Sequence, residues 1–210
     1  MSLYPEHDQL SLDELIHCFE GPPSDGGDER TRTYYTEVAF HISAKGQSGI
    51  DFLKGKLDKV DTDRLIAALS GLAATRSSIN LPCEVLARYL LDSRPHVVAE
   101  AIDALTAQRN KDIGEQVMAL LHHPDPYVKG SVLRYLSQLC PEKAIAELLD
   151  ALNDSHFIVR ERAVDELGEL SAAETIPFIR PLLNDPHPHV RQAARTAIDN
   201  LSEPTDPRTY

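Results

Sequence analysis

The side chains of this chain best suited to chemistry are nine histidines, three cysteines and a recurring Asp–Arg pair. Six of the histidines, His96, His122, His123, His156, His187 and His189, fall in predicted turns between helices. His156 and His187 occupy equivalent positions one repeat apart, and stacking would separate them by roughly 10 Å, one helix-packing distance. A shared zinc needs Zn–N distances of about 2 Å, so no metal site is expected. Cys18, Cys83 and Cys140 are widely spaced, odd in number and without a CxxC pair. A nucleophilic thiol needs a neighbouring base and a lowered pKa. Cys140 precedes Pro141 in a turn, and no spacing brings His122 or His123 to it. All three are read as reduced, largely buried packing residues of a cytoplasmic protein. No Gly-rich phosphate loop, Ser-His-Asp set or paired catalytic carboxylate stands out, and no cofactor is expected. Gly168, after Leu167, is read as a helix-end feature.

Asp154 and Arg160 lie six residues apart, and Asp185 and Arg191 repeat the pair one period later. Such pairs can form a charged binding edge, or a ladder tying successive turns together. The ladder is the reading adopted, because stacked turns need polar pairing from one unit to the next. The corresponding earlier positions, Asp92 with Val98 and His123 with Lys129, leave it incomplete.

The elements that carry these residues repeat. Val97, Val128, Val159 and Val190 are 31 residues apart each time, and Ala101, Val132, Ala163 and Ala194 keep the step. So do Leu105, Leu136, Leu167 and Ile198, then Leu86, Val117, Leu148 and Ile179, then Leu90, Leu121, Leu152 and Leu183. Each unit therefore holds two amphipathic helices, one with apolar residues at i, i+4 and i+8 and one at i and i+4. Asp61, Asp92, Asp154 and Asp185 sit at the joints, where an acid can cap the next helix. Pro82, Pro95, Pro141 and Pro186 fall near helix starts, where a missing N–H costs little. One such pair cannot bury its own stripe, so the units must stack.

Composition agrees. Tryptophan is absent and Phe plus Tyr are few, so the core is Leu, Ile, Val and Ala, which suits helix on helix. The formal charge of −12 comes from 11 acids against 6 bases in residues 1–60 and 22 against 15 in residues 61–210. That excess opposes nucleic acid and anionic membranes at long range. MSLYPEHDQL lacks a signal-peptide pattern, and the longest apolar run, LIAALSGLAA at 65–74, is too short to span a bilayer.

VRERAVDELGEL and VRQAARTAIDNL, with ETIPFIRPLLND between them, resemble HEAT-like repeats of the phycobilisome lyase type. The resemblance runs from about residue 61 to 201 and is best from 124 onward. The expected fold is an all-α, right-handed α-solenoid of about five helical pairs. Residues 1–60 are expected to form an N-terminal helical cap with a degenerate first pair, residues 61–201 the repeats, and residues 202–210 a tail. SLDELIHCFE (11–20) reads as a short helix and GPPSDGGDER (21–30) as a loop. TYYTEVAFHI (33–42) also suits a strand, given its Tyr, Thr and Val.

The resemblance implies that the second helix of each pair lines an inner surface. Opposite the buried row lie Leu81, Asp112, Lys143 and Glu174; Glu84, Glu115, Ala146 and Pro177; and Arg88, Ala119, Asp150 and Pro181. Five acids there face two bases. With Phe178, these residues (Glu84, Arg88, Asp112, Glu115, Lys143, Asp150, Glu174) make a mildly acidic groove suited to a basic or polar segment of another protein. Pro181 should kink its helix or impose a 3₁₀ turn. The expected function is a non-catalytic protein-interaction scaffold. The resemblance also implies two alternatives. A phycobilisome-lyase likeness implies bilin attachment or detachment. HEAT-like DNA glycosylases imply nucleic-acid binding, for which the rows supply neither a basic concave surface nor stacking aromatics. HEAT-like deoxyhypusine hydroxylases hold iron with His-Glu dyads, and this chain has no His-Glu dipeptide.

Overall fold

The computed structural model describes residues 4–23, 28–74 and 83–202, and within them every regular element is a helix. Leu81, Pro82 and the tail beyond Ser202 lie outside the described residues. The chain divides after Ile113 into two compact units.

The first unit opens with a 3₁₀ turn, Pro5–Gln9, and helix α1, Leu12–Glu20. Ser11 and Glu14 form a capping box that satisfies backbone N–H groups left open at the start of α1. The other end of α1 is held from α4, Thr62–Ala73: Arg64 donates to the carbonyls of Phe19 and Gly21, each at 2.6 Å. Asp61 caps α4, accepting from the Arg64 N–H at 3.1 Å.

Helix α2, Asp28–Ala44, settles the choice between strand and helix, and it begins within the stretch expected as a loop. Tyr34, Tyr35, Val38, Ala39 and Ile42 are all buried, a spacing that lines one helical face. Packing of that face on α4 outweighs the strand preference of its individual residues. The turn into α3, Gln47–Lys56, passes through Gly46 at φ 82°, a conformation that favours glycine. Gly49 is required for another reason. A Cβ there would stand 1.9 Å from the Ile42 carbonyl oxygen, so α3 meets α2 only with hydrogen at that site. Helices α5, Cys83–Tyr89, and α6, Pro95–Ala107, complete the unit, with α6 packed on α4 and α5 on α6.

The second unit contains α7, Gly114–Met118; α8, Pro126–Leu139; α9, Pro141–Ala151; and α10, Phe157–Glu169. It ends with α11, Ile176–Ile179, flanked by 3₁₀ turns Ala173–Thr175 and Arg180–Asn184, and α12, Pro188–Ser202. Helices α8, α10 and α12 pack in succession as one layer, and α9 touches both α8 and α10. The rows at 31-residue steps are the core: Val128, Val132, Leu136, Val159, Ala163, Leu167, Val190 and Ala194 are all 2% exposed or less. Leu121, Leu183 and Ile198 are only half-buried. Gly168 is inside α10 rather than beyond its end. A Cβ there would meet Ala197 Cβ at 3.4 Å, which brings α10 close to α12.

Pro95 and Pro141 open α6 and α9 as expected, whereas Pro186 precedes α12 by two residues. Cys18 and Cys140 are free thiols, half-buried rather than fully enclosed. Among the described residues no helix is long and apolar enough to cross a membrane.

Candidate functional site

The turns between helices are built alike. Asp92, Asp154 and Asp185 each accept the backbone N–H two residues on, at 2.9, 2.7 and 2.8 Å. At the equivalent position His123 Nδ1 accepts the Asp125 N–H at 3.0 Å, doing with imidazole what the acids do with carboxylate. These side chains close the turn ahead of the helix instead of capping it. The caps themselves stand two residues later, at Asp125 and His156.

Arg160 joins one turn to the next. Its Nη1 donates to the carbonyls of Asp154 and Ser155 at 2.9 and 3.1 Å, six and five residues back. Its Nε and Nη2 grip both oxygens of Asp185 at 2.8 and 2.9 Å, 25 residues ahead. Arg191 repeats the backward half, donating to the Asp185 and Pro186 carbonyls at 2.8 and 3.0 Å. Lys129 pairs with Asp154 one unit earlier. The Asp–Arg pairs six residues apart thus meet through backbone carbonyls, and each carboxylate answers a cation 25 residues before it. The Arg160 guanidinium, against the opposing effect of burial, holds the Asp185 carboxyl below its ordinary pKa. Burial would raise Asp154, but Lys129 and the His156 N–H bring it below.

Among the described residues histidine rings meet in pairs, His187 with His189 at 5.2 Å and His7 with His41 at 5.9 Å between ring centroids. Phe157 lies between the two equivalents, 5.1 Å from His156 and 3.5 Å from His187 between ring centroids, both stacked. His96 and His189 lie in the first turns of α6 and α12 rather than in loops. Among the described residues no three His, Cys, Asp or Glu side chains gather in a way that could hold a metal ion.

The predicted groove rows are exposed wherever they are described. In the second unit Glu115, Ala119, Lys143, Ala146, Asp150, Glu174, Pro177 and Pro181 all face solvent, and Phe178 is 57% exposed. Lys143 forms no ion pair with Glu115, Asp150 or Glu174, and those acids have no side-chain partner among the described residues. Pro181 has no N–H for the Pro177 carbonyl, and the backbone tightens from α11 to 3₁₀ at Arg180. In the first unit Glu84, Arg88 and Asp112 are exposed as well. Arg88 is shared with Asp58, 3.7 Å away, and lies over Tyr89.

Two features escaped the sequence reading. Glu166 is buried in α10 against Ser137, Arg134 and Arg162, and Glu100 is half-buried in α6, where the Ser70 hydroxyl donates to it at 2.5 Å. Both stand beside apolar rows, and only their position on the buried helical face could have signalled them.

The model for HEAT repeats matches residues 79–164 and 145–209, well over half of the chain. The chain belongs to the HEAT-repeat family. Deoxyhypusine hydroxylase-B of Oryza sativa subsp. japonica is 30% identical over 132 residues, covering 58% of this chain and 41% of that protein. Deoxyhypusine hydroxylase of Candida albicans is 31% identical over 98 residues, covering 43% of this chain and 31% of its own length. This HEAT-repeat chain therefore spans less than half the length of the curated relatives it matches. An engineered protein solved by the Northeast Structural Genomics Consortium superposes with TM-score 0.54 at 17% identity, over 90% of this chain and 96% of that one. That likeness is one of fold.

Proposed function

We propose that this HEAT-repeat chain is a non-catalytic scaffold that binds another protein through the exposed faces of its second helices. In the second unit the face carries Glu115, Lys143, Asp150, Glu174 and Phe178, and its partner is a basic or polar segment. In the first unit Glu84 and Arg88 stand on the exposed side of α5, whereas Asp112, expected on a helix, lies in the turn that precedes Gly114. The observation that supports this reading is that the three acids of the second-unit face are exposed and have no side-chain partner among the described residues. Unpaired carboxylates, with an exposed aromatic ring in the same unit at Phe178, offer electrostatic selectivity and an apolar anchor. The reading extends to neither the activity in the relatives' names nor a metal.

Its test is quantitative capture from the native host. Wild type, Phe178→Ala and the double variant Glu115→Lys with Asp150→Lys are used as bait, and each is checked for unchanged circular dichroism. A partner retained by wild type should be depleted at least about tenfold on both variants, as a loss of roughly 1.4 kcal/mol requires. Equal retention on all three would place the binding surface elsewhere.

A further inference from the structure

One rim of that face opens into a cavity of about 210 Å³ between α8, α9 and α10. This is below the roughly 300–1,000 Å³ typical of small-molecule and cofactor sites, and closer to the room one long side chain needs. Its apolar wall comes from Leu133 of α8, Ala151 of α9 and Val159 of α10, with Leu121 from the turn before α8. Glu147 and Asp150, one turn apart on α9, line the same cavity. Neither carboxylate has a partner among the described residues, whereas the lining cation, Lys129, is held by Asp154. The cavity therefore combines an apolar wall with two uncommitted negative charges, and its own positive charge is already engaged.

We infer that this cavity receives a single arginine or lysine side chain of the partner segment. The aliphatic stem lies along Leu121 and Ala151, over the buried Leu133 and Val159, and the cationic head meets Glu147 and Asp150. Long cationic side chains divide in this way between apolar and polar surroundings. Lys129 sets the limit on affinity: while it neutralises Asp154, only two of the three lining acids serve the incoming charge. The inference rests on the protein-binding reading above and supplies that reading with a chemical class of anchor.

The probe is a short Gly-Ser peptide with one central arginine, paired with the same peptide carrying neutral citrulline. Titration is followed by methyl and amide NMR shifts of the full chain at millimolar peptide. The arginine peptide should shift Leu121, Leu133, Ala151 and Val159, and the citrulline peptide should not. Glu147→Gln with Asp150→Asn should weaken the arginine peptide about tenfold or more. Lys129→Met should strengthen it, because Asp154 then joins the site. Shifts equal for arginine and citrulline, shifts elsewhere only, or no response to the double variant would each overturn the proposal. Glu147→Gln alone in the capture assay separates the two readings. A partner lost on Phe178→Ala but kept on Glu147→Gln leaves the scaffold standing and removes the cavity from it.

Discussion

Glu100 shows how one side chain can set a pH dependence for its unit. Burial is the main cause that raises its carboxyl to about 7, with Asp103 adding to it and Ser70 and Arg32 opposing. The native state therefore keeps a proton that the unfolded chain releases near the ordinary value of 4.5. Its contribution to stability is full below that value and declines as pH rises through about 7. Above that range the ion must remain in its site at a cost of about 3 kcal/mol. Glu100→Gln keeps an oxygen to accept from Ser70 and removes the charge. The variant should melt higher than wild type at about pH 8, and the difference should shrink towards about pH 5. Thermal melts across that range check it, and a difference independent of pH would remove Glu100 from the account. Asp154 and Asp185 act in the opposite sense. Their lowered values stabilise above the usual carboxylate range, and that stability is lost only as acid protonates them.

At the scale of the element, Ala163 shows why the repeat register governs α10. It is 0% exposed, its helix lies between α8 and α12, and the alanine row lets those helices approach closely. Ala163→Asp places an unpaired charge there and should cost about 3–5 kcal/mol, enough to melt the C-terminal helices early. Ala146→Asp, on the exposed side of α9, should stay within about 0.5 kcal/mol of wild type. Circular dichroism melts of the two variants compare them directly. The buried rows were legible because a 31-residue step repeats apolar types at fixed helical positions. Helix α2 was ambiguous, since Tyr, Thr and Val favour a strand and only the i, i+4 spacing of Tyr34, Val38 and Ile42 argued otherwise. The turns were half legible. An acid at each joint is plain in the sequence, but its use depends on backbone geometry, so Asp154 and Asp185 close turns rather than cap helices. The reach of Arg160 to Asp185, 25 residues on, is simply the repeat less six, visible once the units are stacked. The cavity beside α9 was not legible, because it arises where three helices fail to fill the space between them.

At the scale of the whole molecule, charge decides which partners can approach. The chain carries a formal charge of −12, and both its first 60 residues and the remainder are acidic. An approaching polyanion is repelled before any local contact forms, and no run of cations on the described second-helix faces offsets this. Counterion release, the main source of non-specific affinity for nucleic acid, requires lysines and arginines laid against phosphates. Here Arg160 is tied to Asp185, Lys129 to Asp154 and Arg64 to the end of α1, so several of the cations present are engaged in holding the fold. A gel shift at low salt, where such binding is strongest, should show no complex with single- or double-stranded DNA or with RNA. A basic peptide should behave oppositely, binding more tightly as salt is lowered, because the same field then attracts it. Measuring both against ionic strength tests the scaffold reading at its most general. A polyanion that binds, or a basic peptide indifferent to salt, would mean that the acidic faces do not select the partner.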